Sequence, residues 1–402
     1  MARASSVVIG GCLTLLVGLV GFRAVHLPAA AEPPLYADQV VVDPAAQSRW
    51  LRAGRVPRLA ELGDSTLVTG ALLDLYALSQ PAGVPVAGAA GPWRYVWPRD
   101  SALAAAALAR TGHQADAERI VTFWGQVQPT SGVFAARYRP DGRGVPDDRG
   151  DQLDGIGWVL WGTAQAAAGL PEEERTAFVR RHRALIDRST KTALATIGRH
   201  GLPPASPDYW EVREWRTTLA TAALLNAGLE SAAQLYDALE DPAAEATAHA
   251  GAARLATGIK RFFGPSDYPR RLGGRASTVD LGVGFLLPPF RSEAQPDVVR
   301  VWRQASGAML RPAGGLAPGG SWRQDGISWT NATSSYALTA ACLGDRDEAV
   351  RWLRWLDQHR TPEGSLPEKV TASGRPAAVA PLAWTAAAVI LTAAELDPGP
   401  RP

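Results

Sequence analysis

Cysteine is nearly absent from this chain, which has only Cys12 and Cys342 among its 402 residues. Cys12 lies in an apolar run close to the N-terminus, so the folded domain keeps one thiol and cannot build a disulfide framework. The six histidines are scattered along the chain without the spacing of metal ligands. We therefore predict no metal site.

Lysine is also scarce, because Lys191, Lys260 and Lys369 are its only instances and arginine carries the remaining positive charge. The 41 basic and 39 acidic residues leave a formal net charge of +2. A nucleic-acid surface needs a clustered excess of basic residues, so we predict no nucleic-acid partner. Tryptophan is abundant instead, and its fourteen residues suit both a core and platforms for the apolar face of a sugar ring.

β-branched runs with a period of two are missing as well, which disfavours a β-sheet protein. The apolar pattern and the heavy use of alanine predict helices over residues 65–78, 99–111, 114–128, 154–168, 172–198, 213–227, 230–240, 242–262, 278–287, 295–310, 329–343, 346–359 and 381–396. Long loops rich in Gly, Pro and Trp alternate with these helices, and long loops in a compact domain are usually functional. The pattern predicts an all-α fold over residues 46–397, an (α/α)6 barrel of six hairpins with the loops gathered at one end.

The N-terminus has Arg3, an apolar run over residues 7–22 and then three alanines at 29–31. This order is typical of a secretory signal peptide. An uncleaved membrane anchor shares the pattern, although sixteen apolar residues are slightly short for a span. Either interpretation of residues 1–31 predicts an extracellular or cell-surface protein, the second with a membrane tether through the apolar run. Residues 32–45 are rich in Pro and Ala and are predicted to be a linker.

Three loops combine charge with aromatic or turn residues, and two of them precede predicted helices. They are residues 93–100 (WRYVWPRD), 207–211 (PDYWE) and 364–368 (GSLPE). Hydrolysis of an acetal needs an acid that protonates the leaving oxygen, and an inverting enzyme also needs a carboxylate that activates water. Glu211 and Glu368 suit these tasks. Each loop alone has a plainer explanation, since Asp208 can cap a helix that begins near Trp210.

Taken together and in this order, the loops resemble glycoside hydrolase family 15, the glucoamylase family. Trp97-Pro98-Arg99-Asp100 is similar to the family's Trp-x-Arg-Asp segment, which binds the terminal glucose. Asp208-Tyr209-Trp210-Glu211 is similar to its Asp-x-Trp-Glu segment, which supplies the general acid. Gly364-Ser365-Leu366-Pro367-Glu368 is similar to its Gly-Ser-x-x-Glu segment, which supplies the general base. The resemblance covers about residues 60–396.

The resemblance implies a cofactor-independent, inverting hydrolase that releases terminal glucose from α-linked glucosides or glucans, so the expected partner is a carbohydrate. Glu211 is then the general acid and Glu368 the general base. The substrate-binding residues that it implies are Arg99, Asp100, Trp97, Tyr95, Asp208, Trp210, Trp329 and Arg323. We expect a monomer. Two other functions stay open, a non-catalytic sugar-binding protein on the same barrel and a trehalase-type hydrolase.

The chain also departs from the family. We expect this chain to lack the β-sandwich domain that precedes the barrel in many bacterial members. Trp93 takes the position of a tyrosine that holds the nucleophilic water in fungal members, so Tyr95 is a candidate for that task. Asp148 aligns with a tryptophan that covers the substrate, so Trp158 or Trp322 is expected to supply the aromatic cover.

Overall fold

The computed structural model describes residues 32–37, 40, 42–274, 277–397 and 399. The predicted signal peptide or anchor at residues 1–31 lies outside this part of the chain. Among the described residues, no helix combines the length and the apolar character that crossing a membrane requires.

Helices dominate the described residues, as the alanine-rich pattern predicts. They are α1 Pro44–Ala53, α2 Leu67–Leu78, α3 Pro98–Arg110, α4 Gln114–Val127, α5 Asp154–Ala168, α6 Glu172–Arg181, α7 Arg183–Thr196, α8 Leu219–Asp237, α9 Pro242–Phe262, α10 Pro296–Met309, α11 Thr330–Cys342, α12 Arg346–Gln358 and α13 Ala383–Leu396. Local chemistry fixes several starts. The Asp241 side chain accepts a hydrogen bond from the Ala244 N–H at 3.2 Å, and Pro242 occupies the first turn of α9.

Six helical elements form a closed inner ring. Their order is α3, α5, α8, a 3-10 helix at Leu281–Leu286, α11 and α13, and α13 returns to α3. The outer layer pairs with them and consists of α4, α6 with α7, α9, α10, α12 and α2. Inner helices such as α13 are buried on nearly all faces, whereas α12 is amphipathic and buries Trp352, Trp355 and Leu356 on one face. The predicted (α/α)6 barrel is confirmed.

Glycine allows two inner helices to meet backbone to backbone. A Cβ on Gly228 of α8 would lie 2.7 Å from the Cα of Gly157 in α5, and one on Gly157 would lie 2.1 Å from the Leu224 carbonyl oxygen. Both distances are well below van der Waals contact, so this crossing requires glycine. The loops that lead into α5 and α8 are thereby held close together.

Short strands lie in the loops of the described chain. They are β1 Leu35–Tyr36, β2 Phe134–Ala135, β3 Asp151–Gln152, β4 Ser328–Trp329, β5 Lys369–Val370 and β6 Pro376–Val379. β2 pairs with β3, and the other four form a sheet in the order β1-β6-β5-β4, in which only the β1–β6 pairing is parallel. Glu368 directly precedes β5, where its N–H donates to the Val379 carbonyl at 2.7 Å. The sheet therefore fixes the backbone of Glu368.

Several predicted boundaries need correction. The stretch 172–198 is divided at His182 into α6 and α7. The predicted helices at 213–227 and 230–240 are one helix, α8, which begins only at Leu219 because ion pairs hold the preceding loop. The predicted helix at 278–287 is a short 3-10 helix. The predicted linker at 32–45 contains β1 and the start of α1.

Candidate active site

Five of the loops that precede the inner helices line one cavity of about 330 Å³. This volume is at the lower end of the range for small-molecule sites. The wall includes seven of the residues predicted for the site, which are Trp97, Arg99, Asp100, Trp210, Glu211, Trp329 and Glu368. Residues from loops far apart in the sequence therefore meet where the barrel places its loop ends.

Glu211 lies in a tight turn and not at the start of a helix as predicted. Its backbone has a φ of 54°, in the left-handed region, and its N–H donates to the Asp208 carbonyl at 2.7 Å. Its Oε1 accepts hydrogen bonds from Trp97 Nε1 at 2.6 Å and from Arg99 Nη2 at 3.5 Å. Its Oε2 accepts a hydrogen bond from Arg149 Nη1. The side chain is thus held by three donors at the cavity wall.

A buried ion cluster lies behind this turn. Arg270 is fully buried and forms two hydrogen bonds of 2.8 Å with the carboxylate of Asp208. It also donates to Asp280 at 2.9 Å and to Glu214 at 2.7 Å. The guanidinium carbon lies 3.9 Å from the centre of the Trp210 ring. Arg270 therefore anchors both sides of the Glu211 turn.

Asp208 belongs to this cluster and not to the cavity wall, although we predicted that it binds substrate. Its side chain is fully buried, and one oxygen also accepts a hydrogen bond from the Trp210 N–H at 3.0 Å. The alternative interpretation as a local cap is partly right, because Asp208 caps a turn. Both carboxylate oxygens are occupied by the chain itself, so Asp208 supports the site from behind.

Glu368 faces the cavity from the opposite group of loops. Its Oε1 accepts a hydrogen bond from Trp93 Nε1 at 3.2 Å, and its Oε2 lies 3.3 Å from Lys369 Nζ. Asp74 holds the preceding residues in place, since it accepts from Ser365 Oγ at 2.8 Å. Sheet pairing, Trp93 and Asp74 together fix the position of this carboxylate.

Arg99 and Asp100 lie at the bottom of the cavity, at the start of α3. Arg99 Nε lies 3.2 Å from Asp100 Oδ2. Arg99 Nε and Nη1 and Asp100 Oδ2 are nevertheless buried without a hydrogen-bond partner among the described residues. Burial raises the pKa of Asp100 to about 6, the Arg99 charge opposes this, and the charges of Glu211 and Glu368 add to it. Unused polar atoms at the end of a cavity suit the hydroxyl groups of a sugar.

Known proteins similar to this chain include a sequence relative and solved structures. An isomaltose glucohydrolase of Kribbella flavida is 25% identical over 307 residues, which cover 69% of this chain and 74% of that protein. A Glu-to-Ala variant of a glycosidase in complex with glucose has a TM-score of 0.70 at 23% identity, over 89% of this chain and 99% of that one. A family 15 glucoamylase from Hypocrea jecorina has a TM-score of 0.63 at 15% identity, over 84% and 72% of the two chains. No protein-family model matches the chain.

The chain is therefore similar to a glucohydrolase in sequence and to glycosidases and glucoamylases in fold. The solved structures establish its barrel fold, and the sequence relative spans most of the chain. The resemblance to family 15 that the three loops predict is therefore confirmed.

Tryptophan forms much of the cavity wall. The Trp210 and Trp322 rings meet edge to face with centres 4.5 Å apart, and the Trp322 and Trp329 rings meet in the same way at 5.3 Å. Of the two residues predicted as an aromatic cover, Trp322 lines the cavity. Trp158 is fully buried in the core against Phe285, so it has no access to substrate.

Two further predicted residues lie outside the wall of the cavity. The Tyr95 ring is covered by the Arg137 guanidinium at 4.6 Å. We predicted that Tyr95 orients the water for Glu368, but the side chain that donates a hydrogen bond to Glu368 is that of Trp93. Arg323 is exposed, and the structure gives its carbonyl oxygen a 3.5 Å hydrogen bond from Arg311.

Sequence reasoning missed several residues of the cavity wall. They are Trp93, Arg137, Arg149, Tyr209, Asn331 and Trp384. Arg137 and Arg149 lie in the loop 129–153, whose length alone marked it as functional. No local motif distinguishes these two arginines from the exposed Arg139 and Arg143 of the same loop.

Proposed function

We propose that this glycoside hydrolase removes terminal α-linked glucose with inversion, with Glu211 as general acid and Glu368 as general base. The observation that carries the proposal is that both carboxylates line one cavity, which Arg99 and Asp100 close with unused polar atoms. Inverting hydrolysis needs two carboxyl groups on opposite faces of one sugar ring. The carboxyl groups of Glu211 and Glu368 lie on different loops and have separate hydrogen-bond partners.

The acid acts on the leaving oxygen. As the bond between C1 of glucose and the glycosidic oxygen breaks, Glu211 gives its proton to that oxygen. Trp97 and Arg99 hold Oε1, whereas Oε2 accepts from Arg149, so we assign Oε2 to carry the proton. The ion cluster around Arg270 keeps the turn in place throughout.

The base acts on water. Glu368 takes one proton from the attacking water while the water oxygen forms its bond to C1 on the other face of the ring. The Trp93 N–H holds Oε1 of Glu368. Oε2 is buried and makes no hydrogen bond with the described residues, although Lys369 Nζ lies 3.3 Å away, so we assign Oε2 to accept the proton of the water. The product is glucose of the β configuration, together with the protonated leaving group.

The relatives support this proposal. The Kribbella flavida relative is named an isomaltose glucohydrolase, and one neighbouring glycosidase structure contains glucose. Two structures of that glycosidase carry single Glu-to-Ala substitutions. The two substituted positions lie as far apart along that chain as Glu211 and Glu368 do along this one. We therefore propose glucose as the sugar that occupies the inner end of the cavity.

The test is a panel of α-linked glucose disaccharides, including trehalose, followed by proton NMR that resolves the anomer first released. We expect β-glucose from at least one linkage. Glu211→Gln and Glu368→Gln should each lower kcat by about 10²–10⁴-fold, with unchanged circular dichroism. The exposed Glu363, on the same loop as Glu368, provides a control in which Glu363→Gln keeps normal kcat. Release of α-glucose, or near-normal activity of Glu211→Gln, would overturn the assignment.

We further propose that the enzyme works as a monomer outside the cytoplasm. The apolar run at residues 7–22 supports export. Fractionation of the native host, with size-exclusion chromatography of the purified protein, tests both statements. A protein found in the cytoplasm with residues 1–31 intact would contradict export.

A further inference from the structure

Arg149 occupies the oxygen that the proposed acid needs for catalysis. Its Nη1 donates to Oε2 of Glu211, while Oε1 accepts from Trp97 and Arg99. A protonated Oε2 that donates to the leaving oxygen is a much weaker acceptor for Arg149 than the carboxylate is. The contact therefore weakens when a substrate is in place, and Nη1 of Arg149 becomes available to a substrate group while Nε keeps its contact with Asp147.

The position of Arg149 relative to Glu211 tells which part of the substrate it meets. The Arg149 side chain is 38% exposed, whereas those of Glu211, Arg99 and Asp100 are 17%, 11% and 5% exposed. The glucose unit binds at the buried end, beside Arg99 and Asp100. A leaving group therefore extends outward past Glu211, where Arg149 lies.

Arg149 also differs from the other cations near the cavity. Arg137 donates to Asp147 and to the Pro92 carbonyl, and it stacks on Tyr95 and Trp97. These contacts do not involve the reacting groups, so the reaction does not disturb them. Arg149 alone among the arginines of this wall has as its closest partner the carboxyl group that loses a proton in each cycle.

We propose that Arg149 determines specificity for the leaving group, and that the natural leaving group carries a carboxylate. This inference rests on the proposed function and narrows its substrate class to α-glucosides of an acidic sugar or acidic alcohol. A substrate carboxylate takes over the hydrogen bond that Arg149 makes with Glu211, and a guanidinium binds a carboxylate with two parallel N–H donors. Asp147, whose Oδ2 lies 3.1 Å from Arg149 Nε, favours this single charge over a doubly charged phosphate.

The experiment separates the effect of the charge of the leaving group from the effect of its shape. For each reducing α-linked glucose disaccharide that the full-length enzyme cleaves, we compare two open-chain derivatives, the neutral alditol and the aldonate, which differ at one carbon. The expected kcat/KM is at least about tenfold higher for the aldonate, which corresponds to about 1.4 kcal/mol. Arg149→Gln should reduce the preference to about twofold or less, and Arg149→Lys should keep part of it, because an ammonium group retains the charge without the paired donors.

The controls separate the two proposals. Arg143 is an exposed arginine of the same loop, and Arg143→Gln should keep the full preference for the aldonate. Preferential cleavage of the alditol, or a preference that survives in Arg149→Gln, overturns the inference while the proposed hydrolase stands. Absence of glucose release from every disaccharide, alditol and aldonate overturns the hydrolase itself. Matching melting temperatures of the variants show that each comparison concerns folded protein.

Discussion

Asp74 in α2 is a buried carboxyl group behind the loop of the proposed general base. It accepts hydrogen bonds from Ser365 Oγ at 2.8 Å and from the Leu366 N–H at 3.4 Å. Burial raises its pKa from the usual 3.8 to about 7, against the two hydrogen bonds and the charge of Arg360. Asp74 should therefore contribute to the pH dependence of the enzyme's stability.

The direction follows from proton binding. Because the pKa of Asp74 is higher in the folded state, its contribution to stability is fully present below about pH 4 and is lost as the pH rises through about 7. The full change of pKa corresponds to about 4 kcal/mol. Asp74→Asn cannot ionise and keeps an acceptor for Ser365. The variant therefore loses this part of the pH dependence and becomes more stable relative to the wild type at alkaline pH.

Urea unfolding of both proteins at about pH 4.5 and about pH 8 measures the effect. The difference between their free energies of unfolding should shift by about 3 kcal/mol between the two conditions, in favour of the variant at the higher pH. Asp64 is exposed, so Asp64→Asn should show no such shift. A difference that does not vary with pH would refute the assignment of Asp74 as a buried, protonated carboxyl group.

Two further predictions concern the supports of the two glutamates. Arg270→Met should lower the free energy of unfolding by about 3–5 kcal/mol, because it leaves buried carboxylates without their partner. Arg271→Met should lower the free energy of unfolding by less than about 1 kcal/mol, since that side chain is 33% exposed. If chemical unfolding showed equal losses for the Arg270 and Arg271 variants, the stabilising role of the buried cluster would be contradicted. Trp93→Phe should lower kcat about tenfold or more with little change in KM, because it removes a hydrogen bond to the carboxylate of Glu368. The exposed Trp215 serves as the control, and a change mainly in KM would place Trp93 in substrate binding instead.

Local pattern was sufficient to predict most of the barrel and the three loops of the site. The stretch 381–396 was predicted as a helix and α13 spans Ala383–Leu396, because alanine and regularly spaced leucine favour helix in any context. The start of α8 at Leu219 was not predictable, since ion pairs to Arg270 override the helical pattern before it. Local pattern also cannot distinguish a carboxylate that faces a cavity, such as Glu211, from one that faces a buried arginine, such as Asp208.

The sequence also did not predict contacts between residues that are far apart in the chain. Trp93 and Glu368 are 275 positions apart, and their meeting depends on the closure of the ring and on the pairing of β5 with its neighbours. The sequence places both residues in loops that were predicted to be functional, but it does not show that Trp93 donates a hydrogen bond to Glu368. Arg149 was not predicted for the same reason. Its proposed role depends on its contact with the carboxylate of Glu211, which its neighbours in the sequence do not reveal.

The first described strand sets a limit on how far this protein can be shortened. β1 runs beside β6, where the Ala378 N–H donates to the Pro34 carbonyl at 2.9 Å and the Ala380 N–H donates to the Tyr36 carbonyl at 3.0 Å. β6 in turn pairs with β5, which begins directly after Glu368. A recombinant form that starts at residue 42 would leave that edge of the sheet open, two strands away from the proposed base. Expression for kinetic work should therefore retain the chain from residue 32 onward.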